Sequence, residues 1–311
     1  MSLTIGVDVG GTKIAAGIVD EKGVIGARAR RETPSQDPAA IVETIIEVSR
    51  ELAAQQEVEA VGVGSAGFVD SARSRVLFAP NLAWRDVAVR DQVAEATGLP
   101  TVVENDANAA AWGEFRFGAA EDVDDMILLT IGTGVGGGLV LDGQIYRGAH
   151  GVAAEVGHMR VVPDGQLCGC GLRGCLEAYA SGTALVREAR AAATLPSAER
   201  LLEMAAGDPQ RITGPMVTAA AAEGDELAIV LIAQLGRWLG EAMGSFVALF
   251  DPAVFVIGGG VSEAGDLLLR PADEALRKQI TGGGHRPEPE VRLATLGNDA
   301  GVIGAADLAR V

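Results

Sequence analysis

The chain has 311 residues, 48% of them hydrophobic, enough to bury a large core divided over two domains. Its 42 acidic residues outweigh 25 basic ones to give a net charge of −17, which argues against a phosphate-backbone binder, so nucleic acid is not an expected partner. An acidic surface instead suits a soluble protein kept dispersed by its charge, and the expected location is the cytoplasm.

In chain order, the first residues begin directly on a strand-like pattern with no charged leader, so no signal peptide is expected. Residues 3–9 and 13–20 are β-rich runs joined by Gly10-Gly11-Thr12, a hairpin signal, and a third strand is predicted over 24–32. After Pro38, the residues Ile41, Ile45, Val48 and Leu52 recur at helical spacing, which predicts an amphipathic helix over 38–55. A strand over 58–64, a glycine turn at Ser65-Ala-Gly67, a helix near 86–97 and a strand over 100–104 follow. Asp106, a good N-cap residue, should open the next helix. Residues 126–141 repeat the opening pattern of strand, glycine-rich turn (132–138) and strand, which hints at two related halves. The region 183–249 reads as Ala-rich and helical; its most apolar stretch, Leu227 to Phe250, carries Arg237 and Glu241 and reads as a buried helix and not a membrane span. A strand over 253–257 ends at Gly258-Gly259-Gly260, a helix is predicted over 265–280, and a Gly/Ala-rich helix over 299–310 closes the chain. Alternating strands and helices predict an α/β architecture. The expected division is a smaller N-terminal domain, 1–108, joined by the C-terminal segment 299–311, and a larger domain, 109–298.

All three cysteines lie in Cys168-Gly-Cys170-Gly-Leu-Arg-Gly-Cys175, with His158 upstream and Glu177 just beyond. Three thiols and an imidazole form a complete ligand set for tetrahedral Zn²⁺, and the glycines let the backbone converge them. A complete protein ligand set leaves no place for water, so the site is expected to be structural. Buried free thiols, or one disulfide with a cysteine left over, are the weaker alternative at this spacing. Asp8 stands at a strand end beside Gly10, Gly11, Thr12 and Lys13, where backbone N–H groups can approach phosphate oxygens and the carboxylate can organise Mg²⁺. A plain hairpin turn is the more common explanation of this one feature. Gly132-Thr133-Gly134 and Gly258-Gly259-Gly260 repeat it, and three glycine turns at strand ends favour a nucleotide. Asn105 and Asp106 follow the apolar strand Thr101–Val103; the helix dipole should lower the Asp106 pKa and keep it ionised, with simple capping as the rival role. Glu155 and Glu177 could be ordinary surface carboxylates, but their tie to His158 and Cys175 makes them candidates to grip a polyhydroxylated molecule, with Asn81 and Gly67 as further hydroxyl contacts. His150 and His285 receive no role.

Together, D-V-G-G-T-K (8–13), P-N-L-x-W (80–84), E-N-D-A-N (104–108), the glycine turn running on to E-V-G-H (131–158), and C-G-C-G-L-R-G-C-L-E (168–177) resemble the ROK family of sugar kinases and sugar-responsive repressors over nearly the whole chain. The resemblance implies the actin-like, ribonuclease-H-like ATPase fold, two α/β domains with a central cleft. It implies Asp106 as base for the sugar 6-hydroxyl, Asn105 on neighbouring hydroxyls, and Glu155, His158 and Glu177 on the C1–C3 side. His158, Cys168, Cys170 and Cys175 would hold zinc, Asp8 would organise Mg²⁺, and the glycines at 10–11, 132–134 and 258–260 would surround ATP. Within the family the pattern is most similar to the bacterial glucose-phosphorylating members, with N-acetylmannosamine, N-acetylglucosamine, fructose or allose as other substrates and polyphosphate as another donor. A dimer or tetramer is implied. Family repressors carry a helix-turn-helix before the first strand, for which residue 3 leaves no room.

Overall fold

A computed structural model describes residues 2–310; Val311, the last residue of the expected C-terminal segment, and Met1 lie outside the described residues. The chain divides into two compact units, one of Met1–Asp124, Gly138–Ala154 and Thr295–Val311, the other of Asp125–Gly137 and Glu155–Ala294. The first unit therefore takes in the helix after Asp106 and a second short segment, beyond the 1–108 expected from sequence.

The first unit is built on β1 (Thr4–Val9), β2 (Lys13–Val19), β3 (Ile25–Glu32), α1 (Pro38–Ala53) and β4 (Ala60–Ser65). It continues with β5 (Phe68–Val69), β6 (Val76–Phe78), β7 (Arg85–Val87), α2 (Val89–Thr97), β8 (Thr101–Asn105) and α3 (Asp106–Phe117). The main sheet has the order β3-β2-β1-β4-β8, with β1 antiparallel to β2 and parallel to β4, and β4 parallel to β8. Helix α1 starts where Asp37 accepts the N–H groups of Ala39 and Ala40 and Pro38 fills the first turn. It buries Ile41, Ile45, Val48 and Leu52 in one core with Ile5, Val7 and Val9 of β1. Alternation then sends Thr4, Gly6 and Asp8 to the opposite face of β1. The sheet β5-β6-β7 was not legible from sequence, its strands being two or three residues long.

The second sheet repeats the plan of the first: β9 (Met126–Ile131), β10 (Val135–Leu141), β11 (Gln144–Ile145), β12 (Val254–Gly258) and β13 (Glu290–Leu293) take the order β11-β10-β9-β12-β13. As β4 and β8 run parallel in the first sheet, β12 runs parallel to both β9 and β13. Gly136, Gly137 and Gly138 belong to β10, so the expected long glycine turn is only Gly132-Thr133-Gly134. Five helices follow β11: α4 (Glu177–Ala180), α5 (Gly182–Ala191), α6 (Glu199–Met204), α7 (Gly214–Ala222) and α8 (Glu226–Phe250). Then come α9 (Asp266–Gln279) and, back in the first unit, α10 (Ala300–Leu308).

Helix α8 is long and apolar enough to cross a membrane by composition, but its small residues serve packing within the unit. A Cβ at Gly240 would meet the Ala272 carbonyl oxygen of α9 at 2.2 Å, and one at Gly236 would meet that of Leu268 at 2.6 Å. Bare backbone at this spacing lets α8 and α9 approach closely, and the buried side of α8 includes Leu235, Leu239, Met243 and Phe246.

Candidate active site

In the first unit, parallel register sets the acidic groups at one end of the sheet. Asp8 of β1 pairs with Gly64 of β4, and Gly64 with Glu104 of β8, so the chain leaves β8 at Asn105-Asp106 on the edge where β1 ends. Asn105, and not Asp106 as expected, caps α3: its side-chain oxygen accepts the Asn108 N–H at 3.0 Å. Capping is thus done by a neutral amide, which leaves Asp106 in the first turn with one oxygen on the Ala107 N–H (2.9 Å) and on Asn105 Nδ2 (3.1 Å). Asn105 Nδ2 also donates to the Gly67 carbonyl at 3.0 Å. Gly67 has φ +108, and a Cβ there would lie 2.3 Å from the Phe78 carbonyl oxygen, so the position requires glycine.

The Asp106 carboxyl is pushed up from the ordinary carboxylate value, chiefly by burial. Its hydrogen bonds from Ala107 and Asn105 act in the other direction and are outweighed. The expectation that the helix terminus would lower this pKa is therefore corrected: desolvation is the larger effect here. Asp106 keeps some accessible surface while sitting deep among protein atoms, as a proton acceptor facing a ligand must. Asp8 is pushed up to about 7, first by burial and then by the charge of Asp106, with Lys13 pulling it down. Two strand-end carboxylates close enough to repel, one lying against Gly301 of α10, fit a divalent cation by the chemistry of the donor set. The β1–β2 turn is closed by the Gly10 N–H on the Lys13 carbonyl (3.0 Å) and buttressed by Thr33, whose hydroxyl donates to the Gly10 carbonyl at 2.7 Å. Thr12 is exposed there, and Asn81 lies beside Gly11, within 3.4 Å of where its Cβ would stand.

In the second unit, one donor atom from each of His158, Cys168, Cys170 and Cys175 lies within 4.8 Å of the others. Zn–S bonds of about 2.3 Å at tetrahedral angles place donors roughly 3.8 Å apart. Cys170 and Cys175 Sγ are 3.7 Å apart, and Cys168 Sγ is 3.7 Å from His158 Nδ1. The residues fit the metal, and the cysteines are free thiols. Without a cation, burial pushes the Cys168 thiol up to about 12, a cost that thiolate coordination removes. His158 Nε2, the other ring nitrogen, is 3.9 Å from Glu155 Oε2. Glu177 joins two features: Oε1 is 3.3 Å from Cys168 Sγ, and Oε2 accepts the Val135 N–H at 3.1 Å. A Cβ at Gly134 would strike Glu177 Oε2 at 2.2 Å, so that glycine is needed for close approach.

Gly132 and Thr133 open into a cavity of about 740 Å³ that Gly260 also lines. Sequence reasoning did not find its other walls, among them Gly182, Thr183, Arg187, Arg190 and Glu263. The Gly182 N–H donates to the Gly132 carbonyl at 2.8 Å and the Thr183 hydroxyl to the Thr133 carbonyl at 2.7 Å, fixing the turn from the start of α5. Gly258 ends β12, paired with Thr130, and Gly259 lies against the backbone of Ile131.

A model of the ROK family matches residues 4–311. The chain belongs to the ROK family. It is 49% identical to a glucokinase of Streptomyces coelicolor over 312 residues, which is 100% of this chain and 98% of that relative. The crystal structure of a ROK family glucokinase from Streptomyces griseus in complex with glucose and AMPPNP matches with a TM-score of 0.90 at 51% identity, over 99% of both chains. A ROK hexokinase from Thermus thermophilus matches with a TM-score of 0.81 at 37% identity, over 98% of this chain and 96% of that one. The ROK fold is the actin-like ATPase fold, and the two sheets of matching order are its duplicated core. Among the site residues expected of a ROK kinase, Asp8, Asn105, Asp106, Gly67 and Asn81 belong to the first unit, and Glu155, the zinc ligands and Glu177 to the second.

Proposed function

We propose that the chain is an ATP-dependent glucokinase that phosphorylates the 6-hydroxyl of glucose. The observation that carries this reading is Asp106: an ionisable group at a strand end, relieved of capping by Asn105 and raised in pKa by burial. A carboxylate raised in pKa by burial is a stronger base toward a reacting hydroxyl than a fully stabilised one.

In this mechanism Asp106 takes the 6-hydroxyl proton and orients that oxygen, while Asn105 and Asn81 hold neighbouring hydroxyls. Alignment of this kind is worth roughly 7–11 kcal/mol, and the proton transfer about 10²–10⁴-fold. Glu155, His158 and Glu177 hold the C1–C3 side of the sugar. The glycine turns at 10–11, 132–134 and 258–260 lie against the nucleotide, whose adenosine the 740 Å³ cavity is large enough to take. Asp8, with Lys13 nearby, would hold Mg²⁺, which would supply positive charge against the phosphates. His158, Cys168, Cys170 and Cys175 would hold Zn²⁺ as a brace, which would fix the imidazole with Nε2 toward Glu155 and the sugar. A cytoplasmic homo-oligomer working in sugar breakdown completes the proposal, consistent with the acidic surface.

ADP release with ATP–Mg²⁺ against glucose, mannose, fructose, N-acetylglucosamine and N-acetylmannosamine tests it. Strong preference for glucose is the expected result. Turnover confined to an N-acetylated sugar would move the substrate while keeping the base and the zinc site, and no turnover with any sugar would overturn the kinase reading.

A further inference from the structure

Behind Asn105 and Asp106 lies a charged cluster that the mechanism above does not use. Glu104, the last residue but one of β8, is 2% exposed. Its Oε2 accepts from both Nε and Nη2 of Arg147 at 2.7 Å, and Arg73 Nε stands 3.6 Å from the same oxygen. Its Oε1 accepts the backbone N–H of Asn105 at 3.1 Å and the side-chain amide of Asn108 at 3.0 Å. One carboxylate thus joins the segment Gly138–Ala154 to the first turn of α3, both within the first unit.

We propose that Arg147 and Glu104 are positioning residues for phosphoryl transfer, fixing the Asn105–Asp106 elbow through the Asn105 N–H and the Asn108 amide. The proposal rests on the kinase reading. A buried ion pair contributes little net stability, since desolvating both charges offsets most of their attraction, so stability alone is a weak reason to place one here. What it supplies is direction. The forked guanidinium grips one carboxylate oxygen and turns the other toward α3, where it holds the Asn105 backbone N–H and the Asn108 side chain. Arg73 contributes in the same sense: its Nη2 donates to the Leu308 carbonyl at 2.9 Å, its carbonyl accepts the Val103 N–H at 3.0 Å, and its backbone is held at φ +54, an uncommon conformation for arginine. The contacts to Glu104 converge on the end of β8, and none places Arg147 on the reacting atoms.

The test compares wild type, Arg147→Lys, Arg147→Met and the double variant Glu104→Gln/Arg147→Met in steady-state glucose phosphorylation, with the folded fraction of each measured by calorimetry. Misplacement of about an ångström costs on the order of 10²-fold. Arg147→Met is expected to lower kcat per folded chain by roughly that factor, with glucose KM shifting less than about threefold. Arg147→Lys, which keeps the charge but loses the fork that sets the direction, should recover only part of the lost kcat and stay roughly tenfold below wild type. The double variant, which also takes the Glu104 charge away from Arg73, should fall at or below Arg147→Met. Unchanged kcat per folded chain in Arg147→Lys and Arg147→Met, or a rise in KM alone, would overturn the positioning role. If Arg147→Met does not fold, Arg147→Lys with a kcat equal to wild type overturns it equally. Wild type inactive on every sugar would instead fail the kinase reading, and with it this proposal.

Discussion

Asp106 and Asp8 are both raised carboxyls at one sheet edge, yet their chemistry separates them. Asp106 shares one oxygen between the Ala107 N–H and the Asn105 amide, a geometry that Asn at the same position would largely reproduce. Asp106→Asn is therefore a clean removal of the base, and kcat should fall about 10²–10⁴-fold with the fold intact; near-normal turnover would sink the assignment. Asp106→Ala should be worse, because alignment of the hydroxyl is lost as well. For Asp8 the folded state prefers the protonated acid, its pKa being about 7 against an ordinary 3.8. In protein free of metal and nucleotide, the stability linked to Asp8 is complete below about pH 4 and is lost as the pH rises through about 7. Asp8→Asn removes that loss, so it should stabilise the ligand-free protein by about 1–3 kcal/mol at pH 8.5 and much less at pH 5, allowing for partial solvent access. Equal effects at the two pH values in paired thermal melts would refute the burial argument. At this scale the sequence carried the identities of the acids but not their states. The D-x-G-G-T and E-N-D motifs point to both, whereas the balance of desolvation against the helix terminus depends on atoms far away in the chain. Arg147 and Glu104 show the same limit: 43 positions separate two residues whose contact nothing local announces.

The cysteine loop is the element in which sequence said most. Three cysteines in a glycine-rich stretch with His158 upstream make a complete donor set, and the structure gathers one donor atom of each within 4.8 Å. What spacing could not show is the second use of Glu177, which touches Cys168 on one side and the Val135 N–H beside the Gly132–Gly134 turn on the other. Because of that contact, loss of zinc should disturb the sugar residues and the turn before it unfolds the second unit. Cys168→Ser is expected to reduce bound zinc and to raise glucose KM at least about tenfold, with a smaller change in global melting. Metal analysis and calorimetry on the same sample decide this; full zinc with unchanged glucose affinity would count against the brace. Strands β5, β6 and β7 mark the opposite case. With two or three residues each they offer no periodicity to read, and their pairing shows only in three dimensions.

Over the whole molecule, the repeated strand–turn–strand pattern was legible because both copies set a glycine turn between two β-rich runs. The division of the chain into units was less so. Boundaries at 124/125, 137/138, 154/155 and 294/295 mean that the first unit is assembled from three stretches of chain, which no local composition shift marks. Its last stretch carries α10, every residue of which is buried. The helix lies on bare backbone: a Cβ at Gly6 or Gly62 would strike the carbonyl oxygen of Val302 or Ala305 at under 2 Å, and Thr4 donates its hydroxyl to the Ala306 carbonyl at 2.9 Å. Burying Val302, Ile303 and Leu308 is worth about 1.5–3 kcal/mol each, before the three alanines and the close backbone contacts are added. That sum is comparable with the entire stability of a typical domain, about 5–15 kcal/mol. A chain ending at Asp299 should therefore lose the first unit altogether, with no measurable Asp8 or Asp106 chemistry, while the second unit, which ends at Ala294, retains its own core and the gathered cysteine and histidine donors. Limited proteolysis with mass spectrometry distinguishes the outcomes: rapid cleavage throughout residues 2–124 with protection in 155–294 is expected. Protection of both regions would mean that α10 adds less than its burial implies and that β1, β4 and β8 are held by α1 and the strand ladder alone.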